Sequence, residues 1–252
     1  MRKKIVFKSP FLKKISSEPD NFDETFPYPR NIPSFCNGID ISINNPVTFF
    51  VGENGSGKST LLEAIADKCG FNLTGGSQHH YYGSDQPQRE AALSKLLRLS
   101  WMPKVKNGLF MRAESYFNFA TYIDEISKEN QAILDAYGGK SLHGQSHGES
   151  FLSLFQARLG GGIYILDEPE AALSPSRQLT FLSLIHNLTR EGDTQFLLSS
   201  HSPILLSYPG ADIFQLNEGG ITSISWKDTD HYILTKEFLN DPNRYFRYLF
   251  AD

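Results

Sequence analysis

The sequence predicts an α/β fold, a mostly parallel sheet flanked by helices, with an antiparallel β portion near the N-terminus and a small insertion of helix and loop at about residues 71–148. Three observations lead there. Apolar runs such as Val47-Thr48-Phe49-Phe50-Val51, Ile163-Tyr164-Ile165-Leu166 and Phe196-Leu197-Leu198 alternate with helical patterns. Runs apolar at successive positions suit strands covered on both faces. The first run leads into a glycine-rich loop and a helix, and the second ends in two carboxylates.

Taken in order, Ile5 to Phe7 and Gly38 to Ile43 read as short strands separated by polar chain, and Asn44-Asn45-Pro46 is a turn before the Val47 to Val51 strand. Ser59 to Cys69 places Leu61, Leu62, Ile65 and Ala66 at helical spacing and stops at Gly70. Leu73 to Gln88 reads as an exposed loop, Arg89 to Leu99 as a helix, Gly108 to Met111 as a strand and Glu114 to Lys128 as a helix. A helix from Glu149 to Leu159 turns Phe151, Leu154 and Phe155 inward. Another runs from Pro175 to about Leu188, with Ser174 as N-cap and Leu179, Leu182 and Ile185 among its apolar positions. The tail offers a hairpin, Ile213 to Asn217 and Ile221 to Trp226, and then an aromatic-rich helical segment from Tyr232 to Phe250.

Composition bounds the rest. With 252 residues and 40% hydrophobic content, one domain spanning 1–252 is expected. A net charge of −4 gives no overall basic field for nucleic acid. Cys36 and Cys69 have neither metal nor disulfide spacing, read as small buried hydrophobes, and fit a reducing, cytoplasmic location. No window reaches the ~18 apolar residues of a membrane span, so direct membrane insertion is not expected.

Gly52-Glu53-Asn54-Gly55-Ser56-Gly57-Lys58-Ser59-Thr60 satisfies G-x-x-x-x-G-K-[ST] between a strand and a helix. Its glycines let consecutive backbone N–H groups turn inward as an anion nest, and the helix N-terminus points at the same phosphates. Lys58 is expected to reach the β- and γ-phosphates of ATP, and Ser59 to ligate Mg²⁺. At the end of the second run, Asp167 would hold Mg²⁺ through water, while Glu168 leaves the strand in another direction and can orient or deprotonate the attacking water.

Asp167-Glu168-Pro169-Glu170-Ala171-Ala172-Leu173-Ser174 resembles the Walker B and D-loop of ABC-class P-loop ATPases, and Ser199-Ser200-His201-Ser202-Pro203 resembles their switch-histidine loop. Within that class the chain is most similar to stand-alone ATPases of the RecF, SMC and OLD kind, although Lys58 and Ser146, only 88 positions apart, leave no room for a coiled-coil arm. The resemblance implies an ABC-type ATPase fold, ATP hydrolysis and an ATP-dependent, head-to-tail homodimer. It makes His201 a γ-phosphate sensor. Ser146-His147-Gly148-Glu149-Ser150 stands where the class has Ser-Gly-Gly-Gln, so Ser146, Gly148 and Glu149 would hold the γ-phosphate of the opposing subunit, with His147 in place of a glycine.

The Q-loop position, Met111-Arg112-Ala113-Glu114-Ser115, carries no glutamine. Glu114 either contacts metal or water there or caps the following helix. Phe26 and Tyr28 are candidates to stack on adenine, or are packed aromatics. The function expected is a switch acting on a nucleic acid or an effector protein. The alternative is the nucleotide-binding subunit of an ABC transporter, from which the missing glutamine and the altered signature depart.

Overall fold

The computed structural model describes residues 8–18, 29, 31–73, 91–128, 148, 151–152 and 161–250. The expected α/β architecture is present. A six-stranded sheet has the order β5-β6-β7-β3-β8-β9, built from β3 (Val47–Val51), β5 (Gly108–Arg112), β6 (Gly162–Asp167), β7 (Thr194–Ser199), β8 (Asp212–Asn217) and β9 (Gly220–Ser223). Its first five members run parallel, and β9 returns antiparallel to β8 across a tight turn. A second sheet, in the order β2-β1-β4, joins β1 (Leu12–Ser17), β2 (Ile39–Ser42) and β4 (Arg98–Trp101) in antiparallel fashion.

Strand alternation divides the core in two. Val47, Phe49 and Val51 of β3 face one cluster with Met111, Leu166 and Leu198, while Phe50 faces the other with Phe110, Ile165 and Leu197. Helices cover both faces. On the Phe50 side lies α1 (Lys58–Cys69), which buries Leu61, Leu62, Ile65 and Ala66 and ends at Gly70. The φ of +77° at Gly70 lets its N–H reach the Ala66 carbonyl, as the glycine stop predicts. On the Phe49 side lie α3 (Ala113–Ser127), the helical residues Phe151 and Leu152, and α4 (Pro175–Arg190), where Phe151 packs edge-on against both Tyr116 and Phe181. The two sheets are tied by Gln195, a fully buried side chain of β7. Its Oε1 accepts from the Phe11 and Leu12 N–H groups at 2.8 and 2.9 Å, and its Nε2 donates to the Leu12 carbonyl at 3.0 Å.

Several expectations need correction. The helix placed at Arg89 to Leu99 is α2 (Ala91–Leu96) followed by β4, because pairing of Arg98 to Trp101 with β1 overrides helical propensity. The stretch 71–148 also supplies β4 to one sheet and β5, which contains the expected Gly108 to Met111 strand, to the other. In α4, Leu179 is 60% exposed, and Gln178, Phe181 and Ile185 face inward. Ser174 occupies the N-cap position without a side-chain capping bond. Cys36 is exposed, while Cys69 is buried as expected. The second hairpin strand ends at Ser223, and Trp226 opens a short 3-10 turn. The strand at Ile5 to Phe7, residues 74–88 of the expected loop, and Phe26 and Tyr28 lie outside the described residues.

The aromatic tail forms α6 (Asp230–Asn240) and α7 (Pro242–Leu249), preceded by the short α5 (Pro203–Leu206). Among the described residues no helix is long and apolar enough to cross a membrane.

Candidate functional site

Four parallel strands deliver the chemistry at their C-terminal ends, where ligands of open α/β sheets sit. β3 leads into the glycine-rich loop, β6 ends on Asp167, β7 ends just before Ser200 and His201, and β5 ends on Arg112. Gly57 turns the loop into α1 with φ +101°, and a Cβ there would lie 2.8 Å from both Ile32 Cγ2 and Phe35 Cζ. The loop fits an anion. Ser56 Oγ is buried without a hydrogen-bond partner among the described residues, and the crowding at Gly57 leaves space only for backbone.

Lys58 is 4% exposed, and its Nζ donates to the carbonyls of Gly52 at 2.7 Å and Glu53 at 3.0 Å. Burial pulls its ammonium below the usual range, against the opposing effect of the Glu168, Asp167, Glu53 and Glu170 carboxylates. A cleft of about 290 Å³ opens beside it, lined by Asn54, Gly55, Gly57, Ser59, Thr60 and Glu168 together with Lys58 and Ile32.

Glu168 is the one non-glycine residue with positive φ (51°) among the described residues. That left-handed turn costs about 1–2 kcal/mol and takes the side chain off the line of β6. It is held by the Glu168 N–H donating to Ser199 Oγ at 3.0 Å. The carboxylate reaches His201, with Oε1 3.2 Å from Nε2. Asp167, 5% exposed, accepts from Ser199 Oγ at 2.5 Å through Oδ1 and from Arg112 Nε at 3.2 Å through Oδ2. Arg112 also pairs with Glu63 of α1. The backbone N–H of His201 donates to Glu170 Oε1 at 2.6 Å. Burial pushes the Glu170 carboxyl up, against the bonds that it accepts. Burial, Lys58 and His231 hold the His201 imidazole below its usual range, opposed by Glu168.

The structure thus brings Lys58, Ser59, Thr60 and Glu168 to one cleft, with Asp167 and His201 bonded around Glu168. Glu114 is the second residue of α3, a backbone position that suits a helix cap, and its side chain lies outside the described residues. Ser146 and Glu149 also lie outside them. Gly148 is helical and buried, and a Cβ there would lie 2.4 Å from Arg177 Cδ and 3.3 Å from the Ala172 carbonyl oxygen.

Four residues escaped sequence reasoning. Arg112 and Asp167 are register partners on adjacent strands, which only the β5-β6 pairing reveals. Glu63 lies in the Ser59 to Cys69 helix with no role assigned from sequence, Glu170 stands in the Walker B and D-loop string without a role of its own, and His231 is 30 residues from the His201 that it touches. An acidic residue among the apolar positions of α1 was the one signal available.

Comparison with known proteins places these features in a class. Residues 30–90 match the family described as "AAA domain", and residues 151–207 match the one described as "AAA domain, putative AbiEii toxin, Type IV TA system". The first match spans the glycine-rich loop, and the second spans Asp167, Glu168 and His201. Over these two segments the chain is similar to AAA-type P-loop ATPase domains, and over longer stretches to ABC ATP-binding proteins.

Among its relatives, the tungstate uptake system ATP-binding protein TupC of Campylobacter jejuni is 24% identical over 226 residues, covering 79% of this chain and 66% of TupC. The thiamine import ATP-binding protein ThiQ of a Ruegeria species is 29% identical over 166 residues, covering 61% of this chain and 69% of ThiQ. The matched stretch therefore spans about two thirds of these relatives' own length. The SMC head domain from Thermotoga maritima superposes with a TM-score of 0.48 at 17% identity, covering 85% of this chain and 98% of that one.

Proposed function

We propose that the chain binds ATP with Mg²⁺ in the cleft beside Lys58 and hydrolyses it there. The observation that carries this reading is the convergence of a buried P-loop lysine with the Glu168–His201 pair, contributed by three separate strand ends. In this reading the backbone N–H groups of Gly52 to Thr60 cradle the phosphates. Lys58 exchanges its carbonyl partners for the β- and γ-phosphate oxygens, which suit its charge better. Ser59 and Asp167 would hold Mg²⁺, with Glu114 as a further oxygen donor, and a bound ion supplies positive charge against the phosphates. Glu168 takes the proton of the attacking water, and its strained turn keeps the carboxylate pointed away from Asp167. His201 donates to the γ-phosphate.

Closure requires a second copy of the chain. Ser146, Gly148 and Glu149 of one copy complete the cleft of the other, so hydrolysis opens a pair that ATP had closed, and an effector protein or nucleic acid reads the difference. A second reading, the nucleotide-binding subunit of an importer, is favoured by the names of TupC and ThiQ. Capture with a Glu168→Gln variant separates the two, because an importer subunit recovers an integral membrane permease.

The site itself is tested with Lys58→Ala. Calorimetry is expected to find ATP binding abolished or nearly so, since the variant removes the one cation of the loop. Unchanged affinity removes the assignment of this cleft.

A further inference from the structure

His231, the second residue of α6, meets the ring of His201 edge to face, with centroids 4.6 Å apart and an interplanar angle of 76°. His201 Nδ1 lies 3.1 Å from His231 Nε2, and His201 Nε2 lies 3.2 Å from Glu168 Oε1. A neutral imidazole has one N–H donor and one acceptor nitrogen, whereas a carboxylate only accepts. Glu168 therefore fixes the proton of His201 on Nε2. Nδ1 is then an acceptor, and His231 has to present its own Nε2–H to it. The bonds run in one direction, from His231 to His201 to Glu168.

The surroundings favour a neutral His201. Burial, Lys58 and His231 all oppose its charge, while Glu168 favours it and Glu170 is engaged by the backbone N–H. His231 is itself firmly placed. Thr229, 1% exposed, caps α6 by accepting from the Tyr232 N–H at 3.4 Å and donates to the Trp226 carbonyl at 2.7 Å. Trp226 in turn packs edge-on against Tyr232 and against the core cluster on the Phe49 face of the sheet.

We propose that His231 is a positioning residue for hydrolysis: by donating to His201 Nδ1 it locks the ring with its Nε2–H facing Glu168 and the cleft. This rests on the reading of His201 as the donor to the γ-phosphate. Without the second histidine, His201 can rotate or carry its proton on Nδ1, and it then offers a lone pair to a phosphate oxygen.

Two substitutions separate positioning from packing. His231→Phe keeps the ring volume and loses the donor, whereas His231→Gln loses the ring and keeps an N–H in reach of Nδ1. His231→Phe is expected to lower kcat about tenfold with ATP affinity by calorimetry within about twofold of wild type, and His231→Gln to recover to within about threefold. The opposite ranking, or wild-type kcat in His231→Phe, overturns the inference.

Long-range ¹⁵N–¹H spectra of the imidazoles give a readout independent of turnover. The wild type is expected to hold His201 as the Nε2–H tautomer, and an Nδ1–H tautomer overturns the inference. Equal hydrolysis by wild type and His201→Ala removes the functional reading itself. A loss in His201→Ala without a loss in His231→Phe removes only the inference.

Discussion

Replacing Gly57 by alanine tests the loop where backbone and packing constrain it together. The φ of +101° costs an L residue about 1–2 kcal/mol. The added Cβ lies 2.8 Å from Ile32 Cγ2 and Phe35 Cζ, and Phe35 is fully buried, so neither neighbour can swing clear. Overpacking of that kind costs about a further 1–3 kcal/mol. The sum, about 2–5 kcal/mol, corresponds to a fall in Tm of roughly 4–20 °C for a chain of this length.

Gly55 is the internal control. Its φ is +83°, but nothing lies within 4 Å of the added carbon, so only the backbone contribution of about 1–2 kcal/mol remains, or roughly 2–8 °C. Scanning calorimetry of both variants without nucleotide is the assay. Equal losses, or a smaller loss at Gly57 than at Gly55, refute the reasoning, because they mean that the contacts with Ile32 and Phe35 do not confine the loop.

Two further outcomes follow from buried polar groups. Glu170 is buried with its pKa raised, so the folded state binds its proton more readily than the unfolded chain does; the charged carboxylate therefore weakens the fold at high pH, and the penalty fades as pH falls through the raised folded pKa. Glu170→Gln, whose Oε1 can still accept the His201 N–H, is expected to raise Tm by about 2–4 °C at pH 8 and less at pH 5, and a gain that grows on acidification contradicts the sign. Gln195→Leu leaves two N–H groups and one carbonyl of β1 and its approach without partners at nearly unchanged volume, so a loss of about 3 kcal/mol or more is expected in denaturant titration, and a neutral result means that the two sheets are not joined through this side chain.

Legibility in the sequence followed the range of the physics. Buried parallel strands are apolar at successive positions, so β3, β6 and β7 could be read directly, and the P-loop string and Asp167-Glu168 declare themselves through local spacing. The small sheet was less visible. In β1, the register against β4 shifts between Leu12 and Lys14, which puts the two buried apolar residues Leu12 and Ile15 three apart and hides the period of two that marks a strand. The first half of β4, Arg98 and Leu99, reads as the end of a helix because the strand's four residues make sense only beside β1.

At the site, contacts made across the sheet or from the C-terminal helix carry no local pattern. Arg112 against Asp167, Glu63 against Arg112 and His231 against His201 depend on which strand ends and helices the fold makes neighbours. The turn at Glu168 was likewise legible as a change of direction, but its positive φ was not.

The most direct test of the central claim is ATP binding and hydrolysis measured side by side in Glu168→Gln. Lys58, Ser59 and Asp167 are untouched, so calorimetry with Mg²⁺ is expected to give an ATP affinity close to that of wild type. Loss of the carboxylate that takes the proton of water is expected to slow single-turnover hydrolysis by about 10²–10⁴-fold. With chemistry blocked, light scattering is expected to find the ATP-bound variant accumulating as a dimer. Hydrolysis at the wild-type rate, or an ATP affinity that collapses with the substitution, contradicts the account.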